Sequence, residues 1–231
     1  MNILAFDTCF GAVSAAVRWR SVRGEGLLRE AYEARTTGNA ERLFSMIEEI
    51  MEGAGLAFSA IDRIAVTLGP GTFTGVRVGI AAARAFALAT GKPVVGVTSL
   101  AVMAKRADLL LGSGRAGRPL AVAVDARRDM VYVQLFGDGD VQASDALLLT
   151  PEQAAMTIGQ RPILVVGSGA AAVAAAVGGA AEVRLPDLQP HARQLALMAP
   201  DLVPIDPVTP LYLRQPDAKP QGDKSLPRIQ P

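Results

Sequence analysis

The chain has 231 residues, of which 50% are hydrophobic and only 5% aromatic, and its formal charge at neutral pH is +1. That balance suits α/β layers in one domain or two small lobes, and it excludes the basic footprint of an autonomous nucleic-acid binder, so any RNA would be gripped through another chain. Cys9 is the single cysteine and His191 the single histidine, which excludes a disulfide framework and a zinc site built from Cys and His alone.

Residues 2–6 read as an apolar strand that ends in Asp7-Thr8, and no leader-like segment precedes it, so the cytosol is the default location. Val13, Ala15 and Val17 alternate as in a half-buried second strand, and residues 27–34 read as a third, antiparallel one. Gly38-Asn39 offers a cap to a helix over residues 40–53. Its Leu43, Phe44, Met46, Ile47, Ile50 and Met51 share an arc opposite Glu41, Glu48, Glu49 and Glu52. Such a Met- and Phe-bearing face is either core or an adaptable docking surface.

The β-branched run 63–68 leads into Gly69-Pro70-Gly71-Thr72-Phe73-Thr74-Gly75-Val76-Arg77. The turn needs the φ range of glycine and the fixed φ of proline, and a threonine hydroxyl stands ready to cap the next helix. A turn of this kind can face an anion, although the lysine of a P-loop and the glycine spacing of a dinucleotide fingerprint are both missing. The helix over residues 74–90 carries Arg77 and Arg84 as its only charges and is apolar nearly all round. It must therefore be covered on both sides, by its own sheet and by a second helix or a partner chain, with Gly75 and Gly79 leaving the backbone open to close approach. It is too short, and twice charged, for a membrane span. Gly91 closes it, residues 94–97 form a strand, Thr98-Ser99 caps a helix over 100–111, and the glycine-rich stretch 112–119 reads as a linker between lobes.

The second half restarts the pattern. Residues 120–124 end in Asp125-Ala126, Val131, Val133 and Leu135 alternate, residues 141–149 make a third strand, and Thr150-Pro151-Glu152 starts a helix. A strand over 162–166, the turn Gly167-Ser168-Gly169-Ala170 and an alanine-rich helix over 171–177 follow. A βββαβα order thus appears twice. A last helix is expected over 190–198, residues 210–214 can dock on the body, and 215–231 should be a loose Pro-rich tail. The expected organisation is a first lobe over 1–111, the linker 112–119, a second lobe over 120–214 and the tail.

Asp7 and Asp125 can face one another across an interlobe cleft, where carboxylates orient a metal–phosphate group or a water, or each can satisfy the N–H groups of its own turn. The residues alone favour the turn role. Thr8 beside Asp7, with Gly167 and Gly169, would complete a nucleotide cleft. Cys9 reads as a small buried hydrophobe, His191 as a surface or packing residue, and Arg127-Arg128 as a solvated turn. No nucleophile, base and orienting group can be assembled, so no catalytic residue is assigned.

The strand 2–8, the block Gly69-Pro70-Gly71-Thr72-Phe73-Thr74-Gly75-Val76-Arg77-Val78-Gly79, the strand and cap 93–100, Asp125-Ala126-Arg127 and Pro210-Leu211-Tyr212-Leu213-Arg214 together resemble the bacterial TsaB (YeaZ) family, in the family's order and over nearly the whole chain. The resemblance implies an actin-like, Hsp70-like, sugar-kinase-like (ASKHA) fold of two duplicated lobes. It also implies a part in placing the threonylcarbamoyl group on the adenosine next to the anticodon of tRNA. In that pathway the paralogue TsaD transfers the group, TsaE is an ATPase partner, and the TsaB member is non-catalytic and reaches tRNA only through the complex. TsaD-like chains carry two metal-binding histidines one helical turn apart after a Gly-Val strand end. Ser99 and Met103 stand at the matching places here, so no metal is expected.

Docking on TsaD, or on a second copy when TsaD is absent, is expected through the helices 40–53 and 74–90, with Leu43, Phe44, Ile47, Val76, Ile80 and Ala83 in the contact. ATP or ADP at the complex interface is the one cofactor the resemblance brings into view. The rival readings are a metallopeptidase or small-molecule kinase of the actin-like superfamily, and a nucleotide-binding regulator.

Overall fold

The computed structural model describes residues 1–21, 23–35, 37–115, 117–137 and 144–214. The first half folds as β1 (Ile3–Asp7), β2 (Ala12–Arg20), β3 (Gly26–Ala34), α1 (Asn39–Ala54), β4 (Arg63–Thr67), α2 (Phe73–Thr90), β5 (Val94–Val97) and α3 (Ser99–Leu111). The second half gives β6 (Leu120–Asp125), β7 (Val131–Phe136), β8 (Leu147–Leu149), α4 (Pro151–Ile158), β9 (Ile163–Val166), α5 (Ala170–Val177), β10 (Ala181–Val183) and α6 (Ala192–Met198).

The two halves make two five-stranded sheets, ordered β3-β2-β1-β4-β5 and β8-β7-β6-β9-β10. The strands β1–β2–β3 and β6–β7–β8 pair antiparallel in sequence order, and each helix crossover returns the next strand parallel to its neighbour. The repeat read from sequence is therefore a repeat of topology, extended by one strand and one helix in each half to βββαβαβα. This is the two-lobed actin-like architecture. The strand expected over 141–149 is confined to Leu147–Leu149 where it is described, residues 138–143 lying outside the described set, as does the tail 215–231.

The added helices change where each lobe's core sits. Leu100, Met103, Ala104 and Ala107 of α3 pack with Leu120, Val122, Val124, Leu164 and Val166, which belong to the second sheet. Ala192, Leu195 and Ala196 of α6 pack with Ile3, Ala5, Ala16, Ala65 and Val95 of the first. Each half thus lends its last helix to the other, and the layers run α1/α2, first sheet, α3 and α6, second sheet, α4/α5. The stretch 112–119 connects the sheets but is no loose linker where it is described. Arg115 is buried within it, held by Asp108 at 3.0 Å and by the Gly137 carbonyl at 2.6 Å. The core of the second lobe begins before this stretch, at α3.

A strap over residues 203–214 crosses back to the first lobe. Ile205 N–H donates to the Val94 carbonyl at 2.9 Å, Val208 enters the core beneath α1 and α2, and Arg84 of α2 donates to the Val208 carbonyl at 2.9 and 2.6 Å. Leu211 N–H donates to the Leu68 carbonyl at 2.7 Å. At 18 residues α2 is, by length and composition, apolar enough to cross a membrane, contrary to expectation, but Gly75, Val76, Gly79, Ile80, Ala82 and Ala83 bury one side of it in this molecule.

Candidate functional site

The turn between β4 and α2 is where the first strand, two helices and the strap meet. Thr72 N–H donates to the Cys9 carbonyl at 2.7 Å, Ser99 N–H to the Gly69 carbonyl at 2.8 Å, and Ser99 Oγ to the Pro70 carbonyl at 2.6 Å. Thr72 caps α2 as expected, its hydroxyl accepting from Gly75 N–H at 3.1 Å. Close approach dictates the glycines. A Cβ on Gly71 would stand 2.5 Å from the Cys9 carbonyl oxygen, and one on Gly75 would overlap the Thr8 carbonyl. Gly75 and Gly79 therefore open α2 to its own β1 turn, where the expectation was close approach by a second helix or a partner chain.

The expected nucleotide residues separate. Asp7 is fully buried and does not line the cleft. Its Oδ1 accepts from Thr67 Oγ1 at 2.5 Å and from Cys9 N–H at 3.4 Å, while Oδ2 is buried without a partner. Burial raises its pKa to about 6, against the pull of those hydrogen bonds. Thr8 is equally buried and donates to the Gly75 carbonyl at 2.6 Å. Burial also pushes the Cys9 thiol well up, in keeping with an inert packing role. Gly167 and Gly169 face β6: a Cβ on Gly167 would meet the Ala123 carbonyl, and Gly169 N–H donates to that same oxygen at 3.0 Å. Of the five, only Asp125 is exposed and lines a cleft, where its Oδ1 accepts from Arg127 N–H at 2.7 Å.

That cleft, of about 490 Å³, lies between the β1–β2 turn, the turn before α2, the β6–β7 turn and the end of the strap. Its walls are aromatic. Phe10 and Tyr132 have ring centroids 6.4 Å apart, and Phe73 and Tyr212 5.5 Å. Arg77 stacks over Phe73 at 3.8 Å and donates to the Tyr212 hydroxyl at 3.0 Å. Arg127 and Arg214 add positive charge to the lining. Arg127, Arg128 and Asp129 are all left-handed, with φ of 61°, 54° and 54°. Each such residue costs about 1 kcal/mol or more. The conformation is held by Ala126 N–H on the Met130 carbonyl at 2.9 Å and by Arg214, which donates to the Ala126 and Arg127 carbonyls at 2.7 and 3.2 Å.

Of the residues expected at the docking face, Leu43, Ile47, Val76, Ile80 and Ala83 are buried in the molecule's own core and cannot form a contact surface. Phe44 alone is exposed, at 44%, with its ring 5.9 Å from that of Phe86. The reason is that the same arcs that are richest in large apolar groups are the ones the sheet takes. The arc of α2 left outward is Thr74, Arg77, Ala81, Arg84, Ala85, Leu88 and Ala89, with Leu88 89% exposed. On α1 it is Glu41, Ser45, Glu48, Glu49 and Glu52. The signal that could have found Ala81, Ala85 and Leu88 is the glycine pair itself, since Gly75 and Gly79 mark the arc pressed to the strand and these residues stand opposite.

Ser99 and Met103 are both fully buried, the first tied to Pro70 and the second in the core of the second sheet. Neither is a plausible metal ligand, and no group of three or more His, Cys, Asp or Glu that could hold a metal occurs among the described residues. His191 lies at the start of α6, where its Nδ1 accepts from Arg193 N–H at 3.2 Å and its ring stacks on Tyr32 at 5.0 Å. Burial holds its pKa below the usual value.

Residues 36–185 match the family profile described as TsaD, tRNA N6-adenosine threonylcarbamoyltransferase. An uncharacterised protein of Mycobacterium tuberculosis is 36% identical over 225 residues, covering 95% of this chain and 94% of that one. The Escherichia coli tRNA threonylcarbamoyladenosine biosynthesis protein TsaB is 35% identical over 132 residues, 57% of this chain and 53% of that one. The solved structure of YeaZ from Pseudomonas aeruginosa superposes with a TM-score of 0.76 at 31% identity, covering 92% of this chain and 99% of that one.

Proposed function

The chain belongs to the TsaB (YeaZ) family, and from that premise we propose that it is a non-catalytic accessory subunit in the threonylcarbamoylation of the adenosine next to the anticodon of tRNA. It acts by docking on the catalytic paralogue TsaD through the outer face of α1 and α2, with TsaE joining the assembly and the complex interface as the place for ATP or ADP. Work on tRNA sets its place in the cytoplasm. When TsaD is absent the same face pairs two copies of the chain.

One observation carries the reading: the outward arc of α2 carries the apolar residues Ala81, Ala85, Leu88 and Ala89 beside Arg77 and Arg84, and these apolar residues are uncovered by the rest of the described chain. Small residues along it permit close helix–helix approach, and Phe44 over Phe86 extends the apolar area toward α1. The non-catalytic role is supported by Ser99 and Met103, whose side chains are spent on a carbonyl and on the core.

Co-purification with TsaD, followed by a modification assay on tRNA with and without this chain, tests the proposal. Modification should require the chain, and Leu88→Asp should weaken the complex by about 2 kcal/mol or more while the variant melts like the parent. Transfer of the threonylcarbamoyl group by the purified chain alone would overturn the accessory role, and an unaffected Leu88→Asp complex would overturn the face.

A further inference from the structure

The cleft between the lobes has no part in the docking reading above, and its lining has a chemistry of its own. We propose that it binds one unpaired nucleotide, with the base among the aromatic rings and the phosphate on the Arg127 guanidinium. At about 490 Å³ it is of the size that takes a small ligand. Phe10 and Tyr132 come from the β1–β2 turn and β7, Phe73 and Tyr212 from the start of α2 and the strap, so aromatic surface is supplied by both lobes around a planar guest. Stacking on such rings takes any base and needs no hydrogen-bond pattern.

The charges select an anion. Asp125 is the one acid in the lining, and its Oδ1 is turned to Arg127 N–H. Arg214 is engaged by two carbonyls, whereas the Arg127 guanidinium has no hydrogen-bond or ion-pair partner among the described residues. The left-handed turn holds Arg127 on the cleft wall. One free guanidinium suits one phosphate. A metal-bound triphosphate would need both strand-end carboxylates and the glycine turn; Asp125 is exposed on the cleft, but Asp7 is fully buried, and Gly167 and Gly169 are pressed on β6. The site is therefore specific for base plus monophosphate, a chemistry offered by a free mononucleotide or by an unpaired nucleotide of an RNA strand.

Calorimetry on the full chain with AMP, with ATP and Mg²⁺, with a single-stranded pentaribonucleotide and with the same sequence as a duplex tests this. AMP or the single strand should saturate one site, the duplex should not compete, and ATP with Mg²⁺ should bind no tighter than AMP. Tighter binding of the strand than of AMP identifies RNA as the source, and the reverse order identifies the free nucleotide. Arg127→Gly, which keeps the left-handed turn, and Tyr212→Ala should each weaken binding about tenfold or more. Leu88→Asp should leave it unchanged, which separates failure of the cleft from failure of the docking face. Absence of saturable binding, an ATP–Mg²⁺ complex about tenfold tighter than AMP, or unchanged affinity in both cleft variants would overturn the proposal.

Discussion

The two lobes share a strand order and even a strand-ending aspartate, yet they use them in opposite ways. In the first, Asp7 is sealed under the turn that leads into an 18-residue helix, and that helix presents an apolar arc to the outside. In the second, Asp125 is exposed on a cleft and the equivalent helix, α5, has only 8 residues. Topology fixes where a residue stands, whereas the packing of the turn before the neighbouring helix fixes whether water reaches it. Duplication therefore preserved positions without preserving chemistry.

The contrast is broken most strongly within α2. Ile80→Asp should remove about 4 kcal/mol or more of stability, since an unpaired carboxylate would enter the core of the first lobe, and urea melts should show it directly. Leu88→Asp on the opposite arc should change the same melts by less than about 0.5 kcal/mol.

The aspartates sharpen it next. Asp7 has a folded pKa of about 6 against an ordinary 3.8, so the folded state holds its proton more tightly than the unfolded chain does. Stability from this group is complete below pH 4 and is lost as pH rises through 6, by about 3 kcal/mol in all. Asp7→Asn should flatten that fall and raise the stability measured at pH 7.5. Asp125→Asn, at the equivalent place, should move it by no more than about 0.5 kcal/mol. The smallest effect belongs to the exchanged helix α6. The pKa of His191 is depressed, so its contribution is intact above the ordinary histidine range and falls away below it, as protonation ends the bond from Arg193 N–H. Acidification through the lower part of the histidine range should lower stability slightly, and His191→Asn, which keeps a capping acceptor, should remove that dependence.

Much of the fold was legible because it is written in short-range terms. The alternation of Val13, Ala15 and Val17, the hydroxyl caps at Thr72, Thr98 and Thr150, and the duplicated order of elements need only neighbours in sequence to be read. The functional surfaces were less so. A helix apolar all round announces that it is covered, but not by what, and the choice of Leu43, Ile47, Val76, Ile80 and Ala83 took the arcs the sheet had already claimed. Of the cleft only Asp125 was read from sequence, and its rings escaped because they come from residues 10, 73, 132 and 212, which no local pattern links.

By itself, then, the amino-acid order determined the repeat, the hinge and the family, since glycine, proline and hydroxyl positions constrain the backbone wherever the rest of the chain lies. Only the tertiary structure decided which carboxylate met water, which arc of α2 stayed bare and which sheet received α3 and α6. Those outcomes depend on how the two sheets lie against one another, and exchanging the last helices is what buries the facing sides of both at once.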